Sequence, residues 1–261
     1  MKFAKDFRKI ARDSLWGKWR VAVLAGFVAP LLGASVISGS GAQFSISNNT
    51  AIPTNEFGAQ IPQFIMIAAV ILGIYSLVLL VISGAARLGY AKFNLKLVDR
   101  EDAAFSDLFS QFDRLGNGFG MNFFMGLFTF LWTLLFIIPG IIKRYSYAMT
   151  PYILAENPGM KARDAITESK QIMMGNKIRL FCLEFSFIGW NILCMLPAII
   201  AAGSVYANVL MGGKTLAGLL WLIPCVVWAI IGSLFLYPYQ EAAHAAFYRE
   251  ISGTSRNVEE N

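Results

Sequence analysis

The sequence predicts an all-α, polytopic membrane bundle of about six spans, with amphipathic helices on its cytoplasmic side. Three observations predict it. Of 261 residues, 56% are hydrophobic and only 15% charged, against about a quarter charged in soluble domains. The deficit is concentrated in long uncharged runs, and a bilayer span needs about 20 consecutive apolar residues. The runs are continuous rather than alternating, which suits helices that satisfy their own backbone hydrogen bonds and excludes a transmembrane barrel.

Six apolar segments carry this reading: 21–37, 63–86, 119–138, 140–155, 180–202 and 216–237. They form one integral membrane domain over 1–261, opened by an amphipathic helix in 1–20 and closed by a tail in 238–261. The first span reads as retained, because the basic region before it is a whole helix, longer than a signal-peptide n-region. The connections set orientation. Seven Lys/Arg lie in 1–20, five in 87–118, five in 157–179, and Arg249 and Arg256 in the tail, whereas 38–62 holds none. The positive-inside rule then places both termini in the cytoplasm. Six spans put 19 of the 22 basic residues inside and leave Lys214 in an outer loop. The expected location is the cytoplasmic membrane, crossed several times.

The fourth segment is the least regular, since Lys143 and Arg144 fall near its outer end. A single span over 119–155 would place two basic connections on opposite faces. The reading is therefore a tight hairpin turned at Pro139-Gly140, residues suited to a reversal, with Lys143 and Arg144 reaching the headgroups.

The cytoplasmic segments read as amphipathic. Phe3, Phe7 and Ile10 line one face of the first helix and Lys2, Lys5, Arg8, Lys9 and Arg12 the rest, a pattern that lies on anionic lipid with its apolar side down. Phe105, Leu108, Phe109 and Phe112 recur at helical spacing, and Ala162, Ala165, Ile166, Ser169 and Met173 do so less cleanly. Pro158 and Gly175 bracket the latter as start and stop signals. The layout reads as three parallel units, each an amphipathic helix, a glycine break and a pair of spans. The breaks are at Gly17-Lys18-Trp19-Arg20, Gly116-Asn117-Gly118 and Gly175-Asn176-Lys177-Ile178-Arg179. True repetition and shared hydropathy both account for this layout.

Chemistry is sparsely supplied. The net charge of +6 comes from basic residues that flank spans, so it signals topology and not nucleic-acid binding. Cys182, Cys194 and Cys225 all lie in apolar stretches, with no metal-ligand spacing, and read as buried small residues. His244, the one histidine, reads as a surface or interfacial residue in preference to a proton shuttle. Gly212-Gly213-Lys214-Thr215 resembles the end of a phosphate loop, but Asn208 holds the leading glycine position and no strand precedes it. Asn48-Asn49-Thr50 matches a glycosylation acceptor by chance. Prolines 151, 197, 224 and 238 mark kinks that shape a cavity or help a bundle pack. Tyrosines 145, 147, 152, 237 and 239, with Trp190, suit an interfacial aromatic belt.

Glu184 is the most informative single residue, an ionisable group a few residues into the fifth span. It pairs with Arg179 or reaches the headgroups in one reading, and lines a functional cavity in the other. Lys143 and Arg144 anchor the hairpin or hold an anionic headgroup or peptide carboxylate.

From residue 138 onward the chain is distinctive. It reads Ile138-Pro139-Gly140-Ile141-Ile142, Tyr145-Ser146-Tyr147-Ala148, and Pro151-Tyr152-Ile153-Leu154-Ala155-Glu156-Asn157-Pro158. Leu183-Glu184-Phe185-Ser186-Phe187-Ile188-Gly189-Trp190, Tyr237-Pro238-Tyr239 and Ala245-Ala246-Phe247-Tyr248 follow. This series resembles an uncharacterised bacterial integral-membrane family, the domain of unknown function nine-seven-five, over nearly the whole chain, with the first half alike mainly in layout. The resemblance implies a bacterial cytoplasmic membrane protein and carries over no functional residues. It is also loosely similar to the membrane portion fused to some glycerophosphodiester phosphodiesterases, without their catalytic domain.

The expected role is a non-catalytic module of the envelope that binds membrane lipids, another membrane protein or a second copy of itself. Phe3, Phe7, Ile10, Phe105, Phe109 and Phe112 supply its membrane-surface or partner face. The alternative is a small ion-coupled or passive transporter with a cavity near Glu184. No nucleophile and base can be named together, and neither a cofactor nor a metal is implied.

Overall fold

The computed structural model describes residues 3–33, 61–210 and 215–259. Asn48-Asn49-Thr50 and Gly212-Gly213-Lys214 lie outside them. Among the described residues the chain is helical, without strands. The elements are α1 (Ala4–Leu15), α2 (Trp19–Leu31) and α3 (Ile61–Val98); two 3-10 turns (Phe105–Phe109 and Phe112–Arg114); and then α4 (Leu115–Leu135), α5 (Ile137–Tyr147), α6 (Thr150–Glu156), α7 (Ala162–Ile172), α8 (Lys177–Leu210) and α9 (Thr215–Glu259).

Four stretches are long and apolar enough to cross a membrane: Val70–Val98, Phe105–Leu135, Lys177–Asn208 and Leu220–Gly253. The helices outrun the apolar segments that predict them. At about 1.5 Å per residue, 38-residue α3 and 45-residue α9 extend well past a hydrocarbon core of about 30 Å. The charges that end the hydropathy runs do not end the helices.

Each long helix changes character along its length. Val70, Ile74, Val78 and Val81 of α3 are exposed, whereas Ala85, Leu88, Phe93 and Leu97 are buried. In α9, Trp221, Trp228 and Phe235 are exposed, and Ala242, Phe247 and Tyr248 are buried. One end of the bundle is therefore clad in apolar side chains. The other has a conventional core and collects α1, the 3-10 turns and α7. We call these the apolar end and the polar end.

Backbone contacts between small residues hold the polar end together. A side chain on Gly84 of α3 would collide with the Gly118 carbonyl of α4, and one on Gly118 with Gly84 and Ala85. Asn122 donates to Ser83 Oγ at 3.1 Å beside this crossing. Gly116-Asn117-Gly118, the expected break, is instead the first turn of α4, and Gly118 serves packing. The other two breaks form at Gly17 and Gly175, both at positive φ. Polar ties close this end: Arg249 pairs with Asp99 and Glu156, and Tyr248 donates to Glu156 at 2.5 Å.

The expected hairpin after the third segment forms, but its turn lies elsewhere. Phe136 is the extended residue between α4 and α5, and Pro139 and Gly140 fall inside α5. Gly140 sits against Thr133, Lys143 over the Trp132 ring at 4.6 Å, and Phe128 beside Tyr147 at 6.4 Å, which defines an antiparallel pair. Pro139 occupies the first turn of α5, where a missing N–H costs nothing, and Gly140 allows the close return. The fourth segment is two short helices, because Pro151 cannot donate back along the chain. Ser169 of α7 donates to the Ser146 carbonyl at 2.9 Å and ties α7 to the end of α5.

Two amphipathic faces are corrected. Phe7 is 1% exposed and packs edge-on against Phe247 at 5.2 Å, and Ile10 packs on the same core. The apolar face of α1 thus meets α9 and not lipid, leaving only Phe3 exposed, at 70%. The segment with Phe105, Phe109 and Phe112 is two 3-10 turns and not a helix. Asp107 accepts from the Ala104 N–H at 2.9 Å and pairs with Lys96 at 2.6 Å, and the Leu108 carbonyl fits against Gly89. Phe105 and Phe109 are partly exposed and meet edge-on with ring centroids 5.6 Å apart, and Phe112 packs against the core. The cysteines are free: Cys182 is exposed rather than buried, and Cys194 and Cys225 are half-buried.

Candidate functional site

A cavity of about 90 Å³ lies where the apolar end meets the polar end. Its lining comes from α3 to α6, α8 and α9. Helix α3 supplies Arg87 and Tyr90, both past the point at which that helix turns from exposed to buried. Helices α5 and α6 supply Arg144 and Tyr152. Helix α8 supplies Glu184, and α9 supplies Tyr237, Glu241 and His244.

The charges are opposed and balanced, with two guanidinium groups and two carboxylates around one space. Tyr145 donates to Glu184 Oε2 at 2.6 Å, and His244 Nε2 stands 3.9 Å from Glu184 Oε1, too far for a direct hydrogen bond. Tyr152 donates to Glu241 at 3.2 Å. Tyr90 stacks on Tyr237 with ring centroids 5.6 Å apart. Three polar atoms at the site are shielded from solvent without a hydrogen-bond partner: Arg87 Nη1, Tyr90 Oη and His244 Nε2. Native proteins leave few such groups, because each costs about 1–3 kcal/mol.

Of the residues singled out from sequence, Glu184 and Arg144 share this cavity with Tyr152, Tyr237 and His244. Lys143 does not, since its ammonium stacks on Trp132. Arg179 bonds Glu250 at 2.5 Å and Asn176 at 2.9 Å, while Glu184 takes Tyr145 as its partner. His244 is a cavity residue and not a surface one. Arg87, Tyr90 and Glu241 escape a sequence reading because they stand just beyond the apolar runs, where charges read as topology signals. Glu241 has one sequence signal, helical phase: Tyr237, Glu241 and His244 follow at i, i+4 and i+7 on one face of α9.

Residues 134–255 match the family described as a protein of unknown function (DUF975). The matched segment holds α5 to α8 and most of α9, and with them Arg144, Tyr152, Glu184, Glu241 and His244 of the cavity. The expected family is thus found in the second half, where its motifs lie, and not over nearly the whole chain. No curated protein and no solved structure matches the chain.

Proposed function

We propose that the chain is a non-catalytic, multi-pass protein of the bacterial cytoplasmic membrane that binds the zwitterionic head of an amphiphile in this cavity. The reading takes six spans, with α2 and the α5–α6 pair completing the four long ones, and both termini on the cytoplasmic side. The observation that carries it is the placement of opposed charges at the inner end of the exposed apolar surface. Ionisable groups at such depth are costly and mark binding sites by default. A phosphate or carboxylate suits Arg87 and Arg144, with Arg87 Nη1 supplying an unused donor. An ammonium suits Glu184 and Glu241, ringed by Tyr90, Tyr152 and Tyr237. The apolar remainder would run along the exposed faces of the long helices.

Native mass spectrometry of protein extracted in mild detergent tests this. The expected result is one zwitterionic phospholipid or similar amphiphile per chain, lost in Glu241→Gln and in Arg87→Gln. Protein free of any such adduct, in detergent supplemented with phosphatidylethanolamine, would count against the reading.

A second reading, ion-coupled transport, is favoured by the Glu184–His244 juxtaposition, an acid and an imidazole within 3.9 Å in one cavity. It expects Glu184→Gln to abolish flux in liposomes, and unchanged flux would remove Glu184 from it.

A further inference from the structure

A second polar site stands apart from the cavity. Residues Lys5, Arg8, Lys9 and Arg12 follow at i, i+3, i+4 and i+7, so they share one face of α1. Together with Trp190 of α8 and Tyr239 of α9 they line a groove of about 260 Å³. Four cations and two aromatic rings enclose it, and no carboxylate is among its lining residues. The acids of α1 are directed elsewhere: Asp6 accepts from the Phe3 N–H at 2.8 Å, and Asp13 lines a different recess. Among the described residues none of the four cations forms an ion pair, and Arg8 Nε is shielded from solvent without a partner.

The groove is built and held. Phe7 locks α1 onto Phe247, and the Tyr239 hydroxyl donates to the Arg8 carbonyl at 3.1 Å. Its depth along the bundle is fixed by α8 and α9, where Phe187 meets Tyr239 at 5.2 Å and Cys194 meets Gly232. Trp190 therefore lies level with the last exposed apolar residues of α9. It is 53% exposed, and Leu193, one turn further along α8, is also exposed.

We infer that this groove is a headgroup site for an anionic phospholipid, whose phosphate sits among the four cations while its acyl chains follow α8 past Trp190 and Leu193. Guanidinium and ammonium groups together suit a phosphodiester, and a tryptophan beside them suits the interface level of a bilayer. A free phosphate offers the same anion but makes no use of the apolar surface continuous with the groove. The helix thus meets the membrane with its basic face, since its apolar face is spent inside the protein.

The test uses the full chain in mild detergent, with lipid adducts counted by native mass spectrometry. The probes are phosphatidylglycerol, phosphatidylcholine of matched acyl chains, and inorganic phosphate, each added to protein whose cavity is kept occupied by saturating phosphatidylethanolamine and scored as adducts beyond that one. The variant Lys5→Gln/Lys9→Gln/Arg12→Gln changes only exposed side chains and leaves Phe7, Arg8 and the cavity intact. The expected result is a preference for phosphatidylglycerol over phosphatidylcholine that falls at least about tenfold in the variant, while Lys161→Gln, an exposed cation elsewhere, leaves it unchanged. Equal binding of both lipids by the native chain, or an undiminished preference in the triple variant, would overturn the site. Inorganic phosphate competing as well as phosphatidylglycerol would overturn the lipid assignment. A third variant, Leu193→Ser, separates the sources further: it should weaken the lipid and leave phosphate binding unchanged. Because the cavity takes a zwitterion, loss of the anionic adduct alone reports on the groove, and loss of the zwitterionic adduct alone reports on the cavity.

Discussion

The two ends of the bundle are built from the same helices under opposite rules. At the apolar end, α3, α4, α8 and α9 expose Val70, Phe130, Ile192 and Trp228. At the polar end the same four helices bury Leu88, Met121, Leu183 and Phe247 and are tied by ion pairs and tyrosine hydroxyls. A soluble protein could not keep the first arrangement, because an exposed apolar surface of this extent would drive association. The difference teaches that the specific polar ties and the buried core lie at one end, whereas the other presents an apolar surface compatible with lipid.

Substitutions that contrast the ends sharpen this. The largest effect is expected from Gly118→Leu, which places a side chain into the Gly84 backbone. Overpacking with no room to relax costs about 3 kcal/mol or more, and a thermal melt in detergent should show a large loss. Its counterpart Gly189→Ala meets nothing within 4 Å and should leave the melt unchanged. Next comes Phe7→Ala, which empties a fully buried ring position against Phe247; it should cost about 3–5 kcal/mol. Phe130→Ala, at the exposed end, should cost far less in the same melt. The smallest of the three losses is expected from Arg249→Ala, which releases Asp99 and Glu156 together. Charge-assisted hydrogen bonds contribute about 1.5–3 kcal/mol, and the partial exposure of Arg249 places it at the low end of that range. If Gly189→Ala or Phe130→Ala proved as damaging as their counterparts, the two ends would not differ as described.

Much of the architecture is legible in the sequence because hydropathy and charge report solvent. The apolar stretches within α3, α4, α8 and α9 were readable for that reason, as were the glycine breaks at Gly17 and Gly175. Helix ends were not: Arg87 and Glu241 end apolar runs, yet α3 continues to Val98 and α9 to Glu259. A change of environment ends a hydropathy run, while only a capping or strand-like residue ends a helix. The turn at Phe136 was misplaced to Pro139-Gly140 because proline is tolerated in a first helical turn as well as in a loop. The amphipathic face of α1 was read correctly as a pattern and wrongly as to its partner, since periodicity shows that a face is covered and not what covers it.

The candidate site was legible only in part. Glu184 and Arg144 stood out as charges within apolar sequence. Tyr152 and His244 read only as belt and interfacial residues and Glu241 not at all, because their meeting depends on how α6, α8 and α9 pack, and residues so far apart in the chain carry no local signal of contact.

The account's central claim is that the exposed apolar end lies in lipid and the polar end outside it. Spin labels placed singly at Leu131, Ile192 and Ile230 at one end, and at Lys161 and Glu168 at the other, test this in liposomes by relaxation from oxygen and from a water-soluble nickel complex. The prediction is high oxygen and low nickel accessibility at the first three, and the reverse at the last two. Equal nickel accessibility at both ends would contradict the claim, and with it the assignment of the cavity and the basic groove to the membrane boundary.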